Sequence, residues 1–358
     1  MKKPTLTPCV PGSITPCRRW SQSRVAGDAP AIYSQHFKSL RFRGEAMSHE
    51  YPNPDPALPA IVEGNGRRHV RLVFRMLGSL LLGWMAIWGS VVIVGKGLVP
   101  LVDTLFHPGP DVLSVFRRSC IFLAVTAGYW AYVHWHEKRK ATELRLRPAP
   151  LLLGGASGVA LIALPIAVLF ALGAYQVVQF RGVSSSLMGV AGLLVIAATL
   201  EELTFRCLLF QVLERHWGTS IALAAQAVLF ALQHLENVAQ GSAVDVATML
   251  VSVTLGGLLW AAVFILTRNL WATVANHAAW NFTILLSGVP LSGIEDWRAL
   301  APLESRYAGP DWLTGGMFGP ETSLLVIATM SVAVVLLLRI ASRRGAFLAP
   351  IEKKWQEP

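Results

Sequence analysis

Three ionisable side chains interrupt an otherwise apolar stretch of the sequence. Glu201, Glu202 and Arg206 follow an uncharged run, residues 184–200, and precede a second one, residues 207–213. An ionisable residue inside a membrane helix costs about 2.5 to 3.5 kcal/mol on insertion scales, so it usually faces a functional cavity. Glu202 and Arg206 are one helical turn apart with the acid first, the favourable order for an ion pair. This pair leaves Glu201, on another helix face, available as a general base.

Two further pairs with the same spacing follow along the chain. Phe230 precedes His234 by four residues, and His277 precedes Asn281 by four. On a helix, each pair therefore lies on one face, with the Phe230 ring one turn below the His234 imidazole. His277 and Asn281 can both donate hydrogen bonds to an oxyanion, and a histidine can also ligate a metal.

Each pair also has a purely structural interpretation. Glu202 and Arg206 could form a simple ion pair, His234 could lie at a helix end, and the polar residues of the last pair could bond neighbouring helices. Asn276, on a different face from His277, is a candidate for such a helix–helix hydrogen bond, and Trp280 and Phe282 are expected to pack. One carboxylate, two imidazoles and one amide in three apolar segments together predict a hydrolytic site.

The elements that must position these residues are membrane helices. A span needs about 20 apolar residues, and the uncharged runs predict an all-α, polytopic membrane protein with about eight transmembrane helices and its site in an intramembrane cavity. The predicted spans are 76–94, 119–135, one within 149–178, 184–213, 217–234, 246–267, 269–291 and 322–338. With these boundaries, Glu201 and His277 fall in the cytoplasmic half of the membrane and His234 in the outer half.

Composition supports a membrane protein and excludes other classes. Hydrophobic residues make up 53% of the 358 residues and charged residues only 15%, against about 25% charged in soluble domains. The net charge of +10 lies mainly at the chain ends and in a few loops, without a basic domain interleaved with aromatic residues, so no nucleic-acid partner is expected. The four cysteines are scattered and predict neither a disulfide framework nor a thiolate metal site.

Charge distribution predicts the orientation of the spans. The segments that are cytoplasmic when the N-terminus is inside hold sixteen Lys and Arg residues without residues 1–66, and the outer segments hold six. This asymmetry favours both termini in the cytoplasm. We expect an integral protein of the bacterial cytoplasmic membrane with a long outer loop, residues 292–321.

The chain divides into a tail, a membrane domain and a short end segment. Residues 1–66 are rich in Pro, Ser and Arg and are expected to be disordered. Residues 67–345 are expected to form the helical membrane domain, and residues 346–358 are expected to form a cytoplasmic tail. Residues 1–46 resemble no folded or targeting segment. We therefore expect Met47 to be the native start.

The three motifs in order resemble one family. Glu201-Glu202-x-x-x-Arg206, then Phe230-x-x-x-His234, then His277-x-x-x-Asn281 is similar to the pattern of the CPBP family, the CAAX proteases and bacteriocin-processing enzymes, also called Abi. The resemblance covers about residues 186–290. It implies an intramembrane endopeptidase in which Glu201 activates water, His234 assists, and His277 and Asn281 stabilise the oxyanion. Glu202 and Arg206 would then be the ion pair that maintains the charge balance of the site.

The sequence leaves alternatives open for both the cofactor and the function. A divalent metal such as zinc, held by Glu201, His234 and His277, is chemically possible, and a metal-free glutamate mechanism is equally compatible. The substrate is expected to be a membrane-associated protein or peptide, either lipidated and CAAX-like or of bacteriocin type. The alternative function is a non-catalytic membrane protein of the same fold, such as a bacteriocin-immunity or scaffolding factor. A proton-coupled transporter should show repeated halves with broken helices, and no repeat is apparent.

Overall fold

The computed structural model describes residues 65–294 and 296–350. The predictions of a disordered tail and of a start at Met47 fall almost entirely on residues outside this part, as does most of the predicted C-terminal tail.

The described residues form a bundle of α-helices with one small sheet. A first hairpin consists of α1 (Asn65–Ile93), which continues through a π-helical turn (Val94–Leu98) into α2 (Val99–Phe106), and of α3 (Pro110–Ala131), which ends in another π-helical turn (Tyr132–His136). The remaining elements are α4 (Pro148–Ala171), β1 (Tyr175–Phe180), α5 (Ser185–Glu202), α6 (Gln211–Gln233), α7 (Ala243–Thr267), α8 (Leu270–Leu286), β2 (Leu303–Tyr307), the short α9 (Asp311–Thr314) and α10 (Leu324–Arg343).

Five helical segments of the described part are long and apolar enough to cross a membrane. They are Val70–Phe106, Pro110–His136, Pro148–Ala171, Ala243–Thr267 and Leu324–Arg343. The prediction of a largely helical integral membrane protein is confirmed, and the count of eight spans stays a prediction. The helices with the polar motifs fall outside these five. One of them, α8, has 17 residues, slightly fewer than the roughly 20 that a span needs.

The segments between α5 and α7 are continuous but irregular. A π-helical stretch, Leu203–Phe210, connects α5 to α6 directly after Glu202. Within α6, Gly218 has φ 79° and ψ 169°, a backbone conformation that only glycine adopts readily. This break lies at the boundary between the predicted fourth span (184–213) and fifth span (217–234).

A two-stranded sheet corrects the predicted third span. The prediction allowed a helix as far as residue 178, whereas α4 ends at Ala171 and β1 pairs antiparallel with β2, from Tyr175 opposite Tyr307 to Phe180 opposite Leu303. Aromatic and β-branched residues favour strands, and an uncharged run alone does not separate a strand from a helix. The predicted seventh span also ends earlier, because α8 stops at Leu286.

The segments predicted to be cytoplasmic lie together at one end of the bundle. Arg215 pairs with Glu137, Asn269 Nδ2 donates to the carbonyl of Arg145 at 2.7 Å, and Thr219 N donates to the carbonyl of Leu348 at 3.1 Å. The sheet and the connecting loop (residues 287–323, between α8 and α10) contribute a separate group of contacts, among them Arg181 with Glu304 at 2.8 Å. The predicted division of the loops into two sets therefore agrees with their contacts.

Helix α4 approaches α8 closely through two glycines. A Cβ added to Gly154 would lie 2.2 Å from the carbonyl oxygen of Ala272, and one added to Gly158 would lie 2.2 Å from that of Asn276. Small residues four apart are the usual means of close helix contact in membranes. This contact fixes α8, the helix that carries His277 and Asn281.

Replacing Gly158 with alanine should therefore destabilise the protein. Overpacking typically costs about 1 to 3 kcal/mol, and here the new methyl group meets backbone that cannot rotate away. The midpoint of thermal unfolding in detergent is the measurement. Gly155→Ala is the matched control, because its Cβ would meet only Ala275 Cβ at an ordinary 4.0 Å. Equal unfolding midpoints for the two variants would contradict this account of the α4–α8 contact.

Candidate active site

Glu202 is the centre of a buried charged cluster. Its side chain has 0% exposure, and its Oε1 lies 3.1 Å from Nη1 of Arg206, which also has 0% exposure. The same oxygen accepts a hydrogen bond from Nδ1 of His277 at 2.8 Å. The predicted pair is therefore present, but Glu202 serves two partners rather than one.

Arg206 is surrounded by groups suited to a buried cation. Its Nη2 donates to the carbonyl of Gly257 at 3.3 Å. Its guanidinium carbon lies 4.4 Å from the centre of the Phe230 ring and 5.6 Å from that of Trp260, within the range of cation–π attraction. Phe230, which was predicted as a supporting residue, thus contacts the guanidinium as well as His234.

His277 lies between the two glutamates. Its Nδ1 must carry a proton, because the carboxylate of Glu202 can only accept. Its Nε2 is 3.7 Å from Oε2 of Glu201, too long for a direct hydrogen bond. The ring stacks on Trp260 with centroids 3.7 Å apart and an interplanar angle of 17°.

Asn276 has the structural role predicted for it. Its Nδ2 donates to Gly154 O at 3.2 Å and to Ser157 Oγ at 2.9 Å, both on α4. Its Oδ1 accepts from Nε1 of Trp260 at 3.1 Å. Asn276 therefore joins α4, α7 and α8 and fixes the indole on which His277 stacks.

Glu201 differs from its neighbour in burial and in bonding. Its side chain is 22% exposed. Within the described part of the chain, its Oε2 has no hydrogen-bond partner although the atom is buried. The Glu201 residue lines a cavity of about 100 Å³, enough for several water molecules, since one needs roughly 10–15 Å³ on the same measure.

His234 lies at the end of α6 with its ring against Phe230. The ring centroids are 4.8 Å apart, as the four-residue spacing predicted. The Nδ1 of His234 bonds the carbonyl of Phe230 at 2.8 Å, and because a carbonyl only accepts, this nitrogen carries the proton. Nε2 is thus the nitrogen left for proton exchange.

The cavity brings the candidate residues of three helices together. Glu201, His234, His277 and Asn281 all line it, with Phe230, while Glu202 and Arg206 lie behind them. The predicted span boundaries placed His234 in the opposite half of the membrane from Glu201 and His277, whereas all three residues line this one cavity. That expectation counted residues along uniform helices, whereas the chain here has a π-helical stretch and a break at Gly218.

Asn281 also has an unused polar atom. Its Oδ1 is buried, and no donor among the described residues reaches it. Because the two ends of a carboxamide are exchanged by a flip of the side chain, Asn281 can present either a donor or an acceptor to the cavity.

Several residues of the cavity wall were not predicted. Trp260 comes from α7, Asn237 from the turn after His234, and Ser292, Trp297 and Glu321 from the connecting loop. A single tryptophan within an apolar helix has no distinctive spacing. The acidic residues of the loop were visible in the sequence, but nothing in it indicated which one reaches the site.

Glu201, His234 and His277 are the candidate metal ligands that the sequence predicted. In the part of the chain that the structure describes, no group of three or more His, Cys, Asp or Glu side chains is arranged to hold a metal ion. Among the described residues, Glu201, His234 and His277 therefore do not form such a group, and no step below uses a metal.

Fold and site together define a class of protein. The chain is a helical integral membrane protein in which a buried ion pair lies behind a small cavity lined by carboxyl, imidazole and amide groups as well as apolar side chains.

Comparison with known families agrees with this class. Residues 183–283 match the family model described as type II CAAX prenyl endopeptidase Rce1-like, so this segment is a domain of that protease family, as the motifs predicted. The match contains Glu201, His234, His277 and Asn281 and ends before the connecting loop. Neither the comparison with curated proteins nor that with solved structures gave a match.

Removing the guanidinium alone should destabilise the fold more than removing both charges. Arg206→Met leaves Glu202 buried with only His277 as a partner, and breaking a buried pair in this way costs about 3 to 5 kcal/mol. The double variant Glu202→Gln with Arg206→Met should recover part of that loss. Unfolding free energies in detergent measure both effects.

Arg181→Met is the control for this cycle. It removes an equally close ion pair whose partners are 33% and 36% exposed, and such pairs contribute only about 0 to 1 kcal/mol. Similar losses for Arg181→Met and Arg206→Met would show that burial of the pair is not what matters.

Proposed function

We propose that this protein is an intramembrane endopeptidase that hydrolyses a peptide bond of a membrane-associated substrate with water activated by Glu201. The observation that carries the proposal is the state of Glu201, whose buried Oε2 has no hydrogen-bond partner among the described residues and whose side chain lines a cavity of water-holding size. The family match supports a peptidase.

The two adjacent glutamates have different roles in this mechanism. Glu202 is engaged by Arg206 and His277, so it balances charge and orients the imidazole. Glu201 takes a proton from a water molecule in the cavity as that water attacks the peptide carbonyl. The new C–O bond converts the carbonyl into a tetrahedral oxyanion.

The other cavity residues complete the reaction. With a proton on each nitrogen, His277 donates Nδ1–H to Glu202 and Nε2–H to the oxyanion, and Asn281 donates from its amide. His234 gives a proton from Nε2 to the leaving nitrogen as the C–N bond breaks. The products are a carboxylic acid and an amine. The proton that Glu201 received passes through solvent to Nε2 of His234, which restores both groups for the next turnover.

The substrate class follows from the membrane setting and the family. The cavity is smaller than the roughly 300 to 1,000 Å³ of a drug-sized site, so it holds the scissile bond and water while the rest of the substrate stays outside. A lipidated, CAAX-like peptide fits the family match, and a bacteriocin-type peptide is the other member of the class. Charge asymmetry supports a cytoplasmic-membrane location with both termini inside.

Glu201→Gln should abolish peptide cleavage without unfolding the protein. Loss of a general base lowers kcat by about 10² to 10⁴-fold, and KM should stay near the wild-type value because the side chain keeps its size. The measurement is cleavage of matched prenylated and unprenylated peptides by full-length protein in proteoliposomes, with thermal unfolding as the check on folding.

Glu202→Gln is the comparison variant. It should lower stability as well as activity, because the neutral amide no longer balances Arg206. Wild-type cleavage by Glu201→Gln would refute the proposed base. Full biological activity of Glu201→Gln would favour the non-catalytic immunity or scaffolding role.

Chelation tests the donor arrangement directly. Because the three candidate ligands do not converge on one point, activity should persist in a strong chelator, and purified protein should contain far less than one equivalent of metal. Loss of cleavage in chelator that added zinc restores would contradict the metal-free mechanism.

A further inference from the structure

Glu321 is a buried carboxyl group that the mechanism above does not use. It lies at the end of the connecting loop, just before α10, and is 7% exposed. It lines the same cavity as Glu201, His234 and His277, yet it is outside the segment that matches the protease family.

The carboxylate anchors a turn of the loop. Its Oε2 accepts from the backbone nitrogen of Ser292 at 2.8 Å and from its Oγ at 2.7 Å. Ser292 has φ 50°, a left-handed conformation that is uncommon for a residue with a side chain. The two hydrogen bonds help to hold this conformation.

The same turn is bonded to the segment that follows His234. The carbonyl of Ser292 accepts from Nδ2 of Asn237 at 2.8 Å, and the nitrogen of Asn237 donates to the carbonyl of His234 at 3.1 Å. An unbroken series of bonds therefore runs from Glu321 through Ser292 and Asn237 to the backbone of His234.

Glu321 also interacts electrostatically with His234. Burial raises the pKa of the Glu321 carboxyl, while its hydrogen bonds to Ser292 and the charge of His234 act in the opposite direction. Both groups line the same cavity of about 100 Å³, so a negative charge on Glu321 attracts a positive charge on His234. Among the described residues, the titratable groups that line the cavity are Glu201, His234, His277 and Glu321, and of these Glu321 comes from the connecting loop.

We propose that Glu321 is a positioning residue of the active site, which holds the backbone of His234 through Ser292 and Asn237 and balances the charge of His234 when it acts as general acid. This inference rests on the proposed function. It assigns part of the site to the connecting loop, which lies outside the segment that matches the protease family.

Glu321→Gln separates the electrostatic role from the anchoring role. The glutamine keeps a carbonyl oxygen for both bonds from Ser292 and loses only the charge. We expect kcat to fall about tenfold or more, with KM and the unfolding temperature close to wild type. We also expect the pH–rate profile to change, because the variant removes one of the carboxyl groups that line the cavity.

Two further variants complete the experiment, which uses the full chain in proteoliposomes and the peptides cleaved by the wild type. Glu304→Gln removes a carboxylate from the same loop, on β2, where it pairs with Arg181 and is 36% exposed. It should leave kcat and the pH profile unchanged. Glu321→Ala removes charge and acceptor together and should lower both activity and stability.

The outcomes distinguish this proposal from the one on which it rests. A Glu321→Gln variant with wild-type kcat and pH profile, beside an inactive Glu201→Gln, overturns the electrostatic role while the peptidase stands. An equal fall in kcat for Glu304→Gln overturns it too, since any loop charge would then serve. A wild-type chain that cleaves neither peptide refutes the peptidase and this inference together.

Discussion

The neutralisation of Glu202 in an apolar interior is the constraint on which the rest of the structure depends. A carboxylate with 0% exposure is costly to bury unless cations and donors surround it. Its oxygen Oε1 meets Arg206 and His277, and Arg206 in turn needs the carbonyl of Gly257 and the rings of Phe230 and Trp260. These partners come from α6, α7, α8 and the π-helical stretch. The helices can therefore satisfy the charge only when they are assembled around it.

Helix packing far from the cavity is connected to this cluster by direct contacts. The close approach of α4 to α8 places Asn276 against Gly154 and Ser157, and Asn276 then bonds the indole of Trp260. The indole stacks on His277, whose orientation decides which nitrogen faces Glu201. A hydrogen-bonded and stacked route thus runs from α4 to His277, whose Nε2 lies 3.7 Å from Oε2 of Glu201. A shift in α4 would first rotate the imidazole of His277.

The sequence predicted those parts of the site that depend on helical periodicity. The pairing of Glu202 with Arg206, the stacking of Phe230 under His234 and the bonding role of Asn276 all follow from residues one turn apart or on opposite faces of one helix. Contacts that join distant segments could not be predicted in this way. Trp260 and Glu321 reach the cavity through the tertiary arrangement of α7 and the connecting loop, and their own neighbours in sequence carry no matching signal. The predicted spans misplaced His234 relative to Glu201 for a related reason. They assumed a constant rise per residue, whereas the π-helical stretch and the break at Gly218 change it.

The two adjacent glutamates have different roles in the proposed site: Glu202 contributes to stability, and Glu201 is the proposed base. Glu202 stabilises the fold because its charge is balanced by Arg206 and His277, and the same engagement leaves it unsuited to accept a further proton during turnover. Glu201 is one residue away but about 100° around the helix. Its Oε2 has no hydrogen-bond partner among the described residues, which costs stability because a buried polar atom without a partner is unfavourable. Asn281 leaves a second such atom in the same cavity. Oε2 of Glu202 and Nε of Arg206 also have no hydrogen-bond partner among the described residues. The polar side chains of Glu201 and Asn281, however, line the cavity, where apolar side chains would fill the space at lower cost. Such polar groups are expected where water and a peptide carbonyl supply the missing partners.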